Sequence, residues 1–179
     1  MYRNSNRKFT QHSKSIDPMS DAAKKVQESQ SVMTQLVLPT DTNRLGNLLG
    51  GQLMHWIDLV AAIAAARHTR RICVTAAVDE LNFIYPVKEG EVVTLQASVN
   101  RVFTSSMEVG VKVFSEDLLT GTVRHANSAY LTFVAIDENL RPVHSPAIVP
   151  ETREEERRFA EALLRRENRL RHRASINKG

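Results

Sequence analysis

The sequence predicts an α+β domain in which one long helix lies in the lap of a curved, mostly antiparallel sheet. Two observations predict it. From Gln52 to His68 there is neither Gly nor Pro, and Leu53, Trp56, Ile57, Val60, Ile63 and Ala64 recur at helical spacing. After Arg70-Arg71 the apolar period drops to two over four long runs rich in Val, Thr, Ala and aromatics. No helical segment separates these runs, so consecutive strands form a meander.

Taken in order, residues 1–30 are rich in Ser, Lys, Gln and Asn without apolar periodicity and are read as a disordered tail. Val32–Leu38 is a short alternating strand stopped by Pro39. Thr40–Gly51 is a loop that holds three of the seven glycines. In the helix that follows, alanines at 61, 62, 64, 65 and 66 make the second half slim enough for a sheet to wrap closely. The strands are Ile72–Tyr85, Glu91–Thr104, Ser106–Glu116 and Thr122–Ile136, with turns at Pro86–Gly90, Ser105 and Leu119–Gly121. Pro142–Pro150 is extended, and Glu151–Arg173 returns to helix with Phe159, Leu163, Leu164 and Leu170 on one side. The domain therefore spans residues 31–150, and 151–179 is a charged outer helix and tail. One helix against such a sheet leaves a helix flank and a sheet edge uncovered. A second copy covers both, so an oligomer built from dimers is expected.

Composition narrows the class. A chain of 179 residues fits one domain with tails and can bury a real core. The single cysteine, Cys73, excludes an internal disulfide framework and a multi-cysteine zinc site. The longest apolar run, Leu59–Ala66, is far short of the ~20 residues that span a bilayer. Met1–Ser20 is polar throughout and has no signal-peptide pattern, so a soluble cytoplasmic protein is expected, without membrane insertion. The pI of about 9.5 belongs to the tails: residues 34–150 hold nine basic against eleven acidic side chains. A nucleic-acid-binding domain would carry its charge on a folded face with aromatics among it, so no nucleic-acid partner is expected. The mixed Glu and Arg of the C-terminal stretch fit a solvated helix.

The chemistry concentrates between Asp41 and Asp58. A Gly-rich loop entering a helix presents free backbone N–H groups and the positive end of the helix dipole. Gly50 and Gly51 let a ligand approach the backbone closely, as a phosphate or a developing oxyanion would. No Lys-Ser/Thr pair follows the glycines, which excludes a P-loop. The plain alternative is a tight helix entry. Asp58 lies in an otherwise apolar segment, Trp-Ile-Asp-Leu-Val-Ala-Ala, where a carboxylate is costly unless paired or functional. It is a base or nucleophile, or one side of a helix–helix ion pair across a dimer. Asn43, in the loop before it, is either an orienting amide or a turn residue. Thr104, Ser105 and Ser106 are phosphate donors or simply a hairpin turn. The basic residues Arg67 and His68 end the helix, where the dipole favours them without any ligand. No His/Asp/Glu set has metal-ligand spacing, so no metal is expected.

The ordered residues Pro39-x-Asp41-x-Asn43-x-x-Gly46-x-x-x-Gly50-Gly51-x-x-Met54-x-x-Ile57-Asp58, with Ala65-Ala66-Arg67-His68, resemble hotdog-fold acyl-CoA thioesterases of the cytosolic acyl-CoA hydrolase (brain-type and bacterial) branch. Thr75-x-x-Val78-Asp79-x-x-Asn82-Phe83-x-x-Pro86-Val87, Gly90-Glu91, Ser106-Met107-Glu108-Val109 and Val149-Pro150-Glu151-Thr152 continue the resemblance, which covers roughly residues 32–170.

The resemblance implies hydrolysis of a fatty acyl-CoA to free acid and coenzyme A, in a site between two subunits. It implies Asp58 as general base or nucleophile, Asn43 positioning the water or carbonyl, and the Gly51 N–H with Gly50 as oxyanion donors. It places coenzyme A near Arg67, His68, Asn82, Arg101, Thr104, Ser105 and Ser106. No separate cofactor is implied, since coenzyme A is part of substrate and product. The implied assembly is a hotdog dimer and a trimer of dimers. Some relatives carry His before the Gly-Gly pair where this chain has Leu49, which places the weight on Asp58 and leaves Leu49 to line the acyl channel. A hotdog dehydratase would need a catalytic His in a Pro-Gly-Pro-rich loop, and neither precedes this helix. A ligand-sensing hotdog module without turnover would need no ionisable group at position 58.

Overall fold

The Gly- and Pro-free run after the loop folds as α1, Gly50–Thr69, in the computed structural model, which describes residues 22–79, 81 and 84–176. Leu53, Trp56, Ile57, Val60, Ala61, Ala64 and Ala65 form its buried stripe, and the alanines let the sheet approach closely. The helix ends where Arg70 turns left-handed (φ 55°) and donates its N–H to the Ala66 carbonyl at 2.8 Å.

Five strands wrap α1: β2 (Ser31–Leu36), β3 (Ile72–Val78), β4 (Val92–Val102), β5 (Ser106–Asp117) and β6 (Thr122–Ile136), with β1 (Lys24–Lys25) lying apart from them. Their order is β2-β4-β5-β6-β3, antiparallel throughout, with β2 and β3 as the edges within the described chain. The expected four-strand meander is corrected: only β4, β5 and β6 follow one another as neighbours, and β3, which precedes β4 in the chain, pairs with β6 instead, since alternation sets the faces of a strand and not its neighbour. Side-chain alternation puts Leu95 and Val99 of β4, Val109 and Val113 of β5, and Leu131 and Phe133 of β6 into the core shared with α1, each at most 1% exposed.

The opposite face of the sheet carries α2, Arg153–Ile176. Its first turn is acidic (Glu154, Glu155, Glu156), as the helix dipole favours. Ala162 is fully buried against the sheet, and Arg101 of β4 lies 4.1 Å over the Phe159 ring. Glu108 of β5 is completely buried and accepts two hydrogen bonds from Arg165, at 2.7 and 3.0 Å, and one from Asn100 at 3.0 Å. Asn100 fits only because residue 110 is glycine: a Cβ there would stand 2.6 Å from the Asn100 amide nitrogen.

Two boundaries differ from the sequence reading. The tail expected to run to residue 30 is already folded from Lys24: β1 pairs in parallel with β7 (Ile148–Val149), and Val26 and Ser29 are buried. The Ser29 hydroxyl donates to the Val26 carbonyl and accepts the Val99 N–H. Only two side chains of this polar stretch face inward, too few to produce a periodicity. Residues 1–21 lie outside the described residues. The strand expected to reach Tyr85 ends at Val78, after a register shift between Thr75 and Ala77. The chain nevertheless continues beside β6, with Asp79 and Ile84 donating to the Tyr130 and Ala126 carbonyls.

Candidate active site

Backbone hydrogen bonds shape the loop ahead of α1. Leu49 N–H donates to the Asp41 carbonyl and Leu48 N–H to the Val87 carbonyl, both at 2.8 Å. Asn43 closes the turn: its Oδ1 accepts from Leu45 N–H (2.8 Å) and Asn47 N–H (3.3 Å), and its carbonyl accepts from Gly46, which needs its positive φ of 70°. With Oδ1 committed to the turn, the exposed Asn43 side chain offers its Nδ2 as a donor.

The N-terminus of α1 is open. Leu49 provides no side-chain cap, and the first intrahelical bond is Leu53 N–H to the Leu49 carbonyl, at 3.1 Å. The amides of Gly50, Gly51 and Gln52 therefore lack intrahelical acceptors at the positive end of the dipole. Nothing lies within 4 Å of where a Gly51 Cβ would stand, so the described residues leave open space beside this residue. Leu49, 43% exposed, borders this entrance.

Two helical turns further along, about 10 Å on the axis, Asp58 is half-buried and its Oδ1 accepts a 2.7 Å hydrogen bond from Thr75 Oγ1 of β3. This bond fixes one carboxylate oxygen and leaves the other available as a base. Around the pair lies apolar surface that the described residues do not cover: Met54, Leu59 and Ile63 of α1 are each more than 40% exposed. An open groove of about 640 Å³ continues it between Leu59, Ile63, Ala66 and Cys73.

The remaining expected site residues fall elsewhere. His68 is completely buried, its Nε2 donating to the Pro146 carbonyl at 2.7 Å, so the expected contact with coenzyme A is corrected to a core role. Burial pushes its imidazole below the ordinary 6.5, with the Pro146 hydrogen bond opposing in part. Arg67 reaches back to the Gln30 carbonyl at 2.5 Å and Ser31 Oγ at 3.1 Å, tying α1 to β2. Arg101 donates to the Phe159 carbonyl and stacks on Phe103 and Phe159. Thr104, Ser105 and Ser106 form the β4–β5 turn, whose carbonyls accept from Ser145, Ala135 and Phe103. Asn82 lies outside the described residues. Among the described residues no cluster of His, Cys, Asp and Glu could hold a metal, and no helix is long and apolar enough to cross a membrane.

Thr75 is the site residue that the sequence did not single out for a role. It stands in an unremarkable Val-Thr-Ala stretch, and only the pairing of β3 with β6 brings it to Asp58.

Comparison with known proteins gives consistent matches. The Thioesterase superfamily model matches residues 45–122. An uncharacterized acyl-CoA thioester hydrolase of Bacillus subtilis is 48% identical over 148 residues, 81% of this chain and 86% of that protein. An acyl-CoA hydrolase from Staphylococcus aureus, solved with butyryl coenzyme A, coenzyme A and coenzyme A disulfide, superposes with a TM-score of 0.82 at 36% identity, over 87% of this chain and 95% of that one. The same Staphylococcus enzyme has been solved with alanine at an asparagine, at an aspartate fifteen residues further on, and at a threonine seventeen beyond that. A structure described as an apo-hexameric acyl-CoA thioesterase gives a TM-score of 0.83 at 38% identity, over 86% of this chain and 98% of that one.

Proposed function

We propose that this chain, which belongs to the Thioesterase superfamily, hydrolyses the thioester of a fatty acyl-CoA to the free acid and coenzyme A. Its helix-in-sheet architecture is the hotdog fold of that family. The observation that carries the catalytic reading is the Asp58–Thr75 hydrogen bond on the uncovered face of α1. Asn43, Asp58 and Thr75 are spaced here by the same fifteen and seventeen residues as the three positions altered in the Staphylococcus enzyme.

In this reading the thioester oxygen accepts hydrogen bonds from the Gly51 N–H, and from Gly50, at the helix terminus. Asn43 Nδ2 orients the attacking water or the acyl carbonyl. Asp58 removes the water proton as the water oxygen bonds to the acyl carbon. The resulting tetrahedral oxyanion collapses, the C–S bond breaks, and the leaving thiolate of coenzyme A recovers the proton held by Asp58. Thr75 keeps the carboxylate aimed. Coenzyme A enters and leaves as substrate and product, with no separate cofactor, and Leu49 lines the acyl path.

The site is completed by a second copy. Gly51 and Asp58 stand two turns apart on one helix, and Asp58 is ringed by apolar side chains that another subunit would cover. Asn43 and Gly51 of one protomer then face Asp58 and Thr75 of its partner, in a dimer that assembles as a trimer of dimers in the cytoplasm.

The test is thiol release from acyl-CoAs of C2 to C18, for the native protein and for Asp58→Asn. Turnover on some chain lengths, reduced by about 10²–10⁴ in the variant, is expected for a positioned acid–base group. Full activity in an intact Asp58→Asn oligomer would remove Asp58 from the mechanism, and no thiol release from any substrate would remove the hydrolase.

A further inference from the structure

We infer that Arg169 of α2 is a positioning residue for the hydrolytic site, acting through Asp79 on the strand that holds Thr75 against Asp58. This rests on the reading of Asp58 as catalytic base.

Thr75 sits on β3, an edge strand hydrogen-bonded within the described chain on one side only, to β6. The ladder is irregular just after it, where the register shifts between Thr75 and Ala77. This bulge has a consequence for side-chain direction. In a regular strand residues four apart share a face. Here Thr75 stands opposite Phe133, on the core side, and reaches α1. Asp79, four residues on, donates its N–H to the Tyr130 carbonyl and turns to the other face of the sheet, toward α2. The inserted residue thus lets one strand present Thr75 to the catalytic helix and Asp79 to the outer one.

Arg169 receives Asp79 there. Its Nη1 donates to both carboxylate oxygens, at 2.9 and 3.0 Å, with both side chains less than a quarter exposed. One turn earlier on α2, Arg165 holds the buried Glu108 of β5 with two hydrogen bonds and stacks 3.6 Å over the Tyr130 ring of β6. Two arginines on one helix face therefore span β5, β6 and the end of β3. Arg165 anchors the brace on the middle of the sheet, and Arg169 applies it to the end of β3, about 13 Å along the strand from Thr75. Without Arg169 the segment after the bulge loses its tie to the outer helix, and the Thr75 hydroxyl loses its fixed place at Asp58.

The test is Arg169→Gln, with Asp79→Asn as the same break made from the other side and Arg171→Gln as a control. Arg171 is exposed and pairs with Glu167 on its own helix, at 3.7 Å. Steady-state kinetics should show kcat lower by about tenfold with KM within about twofold for Arg169→Gln, and no change for Arg171→Gln. In a Thr75→Val background, Arg169→Gln should have no further effect on kcat, because its route to Asp58 is already cut. The Thr75 methyl resonance should move in Arg169→Gln and stay in place in Arg171→Gln. A wild-type kcat in folded Arg169→Gln, or the same fractional loss with and without the Thr75 hydroxyl, overturns the inference. Asp58→Asn run alongside separates the two levels. A silent Arg169→Gln beside an inactive Asp58→Asn overturns the brace alone, whereas full turnover in Asp58→Asn overturns the catalytic reading itself.

Discussion

Glu108, at the centre of the sheet and inaccessible to solvent, is paired with Arg165 of the outer helix by two hydrogen bonds of 2.7 and 3.0 Å. A buried carboxylate held this way tolerates replacement of both partners far better than loss of one. Arg165→Ala should destabilise the protein by about 3–5 kcal/mol, because it leaves Glu108 charged and unpaired. Urea unfolding checks this, and Glu108→Gln/Arg165→Met should recover much of the loss. Equal destabilisation by the single and double variants would show that the pairing is not what matters at Glu108.

The open helix N-terminus can be tested at one atom. Position 51 is the second residue of α1, where proline fits the helix because its missing N–H has no intrahelical partner anyway. Gly51→Ala keeps the N–H and has room for its methyl group. Gly51→Pro should therefore fold but lower kcat by roughly 10²–10³, as removal of an oxyanion donor does, while Gly51→Ala stays much closer to wild type. Comparable activities in the two variants would take the Gly51 amide out of the oxyanion site.

Asn43 divides its two ends between two tasks. Its Oδ1 closes the loop through the Leu45 and Asn47 amides, and in the proposed mechanism its Nδ2 is the group offered to substrate. Asn43→Asp retains the acceptor and loses the donor, so it should keep its thermal stability and lose about 10² in kcat. A variant that unfolds early but turns over normally once folded would make Asn43 a turn residue alone.

His68 gives the fold a pH dependence of known sign. Nε2 carries the proton given to Pro146, Nδ1 has no partner among the described residues, and burial holds the imidazole below 6.5, with nearby Lys24 acting in the same direction. The unfolded chain takes up a proton near pH 6.5 that the folded one resists. The stability that His68 contributes is thus present above that pH and is lost as pH falls toward the folded value. Unfolding free energies measured from pH 7.5 down to 5 should decline, and the decline should be shallower in His68→Gln. An unchanged slope in the variant would assign the pH dependence to other groups.

The helix and the four long strands were legible because their periodicity is a local property: a stripe at 3.6 or an alternation at two is written in consecutive residues and survives in isolation. Asp58 and the Gly-Gly pair were legible for a related reason, each being chemically out of place in its immediate surroundings. Thr75 was not, since a threonine in a strand is ordinary, and its meaning comes from a residue seventeen positions away. His68 looked like a cation at a helix end, and only the docking of Pro146 over it turns it into a core residue. The Glu- and Arg-rich C-terminal stretch reads as a solvated helix, yet two of its arginines bind carboxylates of the sheet.

The sequence by itself determined which segments are helix and strand, which family the chain resembles, and which carboxylate and glycines stand where chemistry is plausible. The tertiary structure alone decided which hydroxyl meets that carboxylate, which cations are consumed by the fold, and that a bulge turns Thr75 and Asp79 to opposite faces of one strand. Local pattern depends on neighbours in the chain, whereas these pairings depend on strand register and on which face an outer helix covers, and both are set by the packing of the whole core.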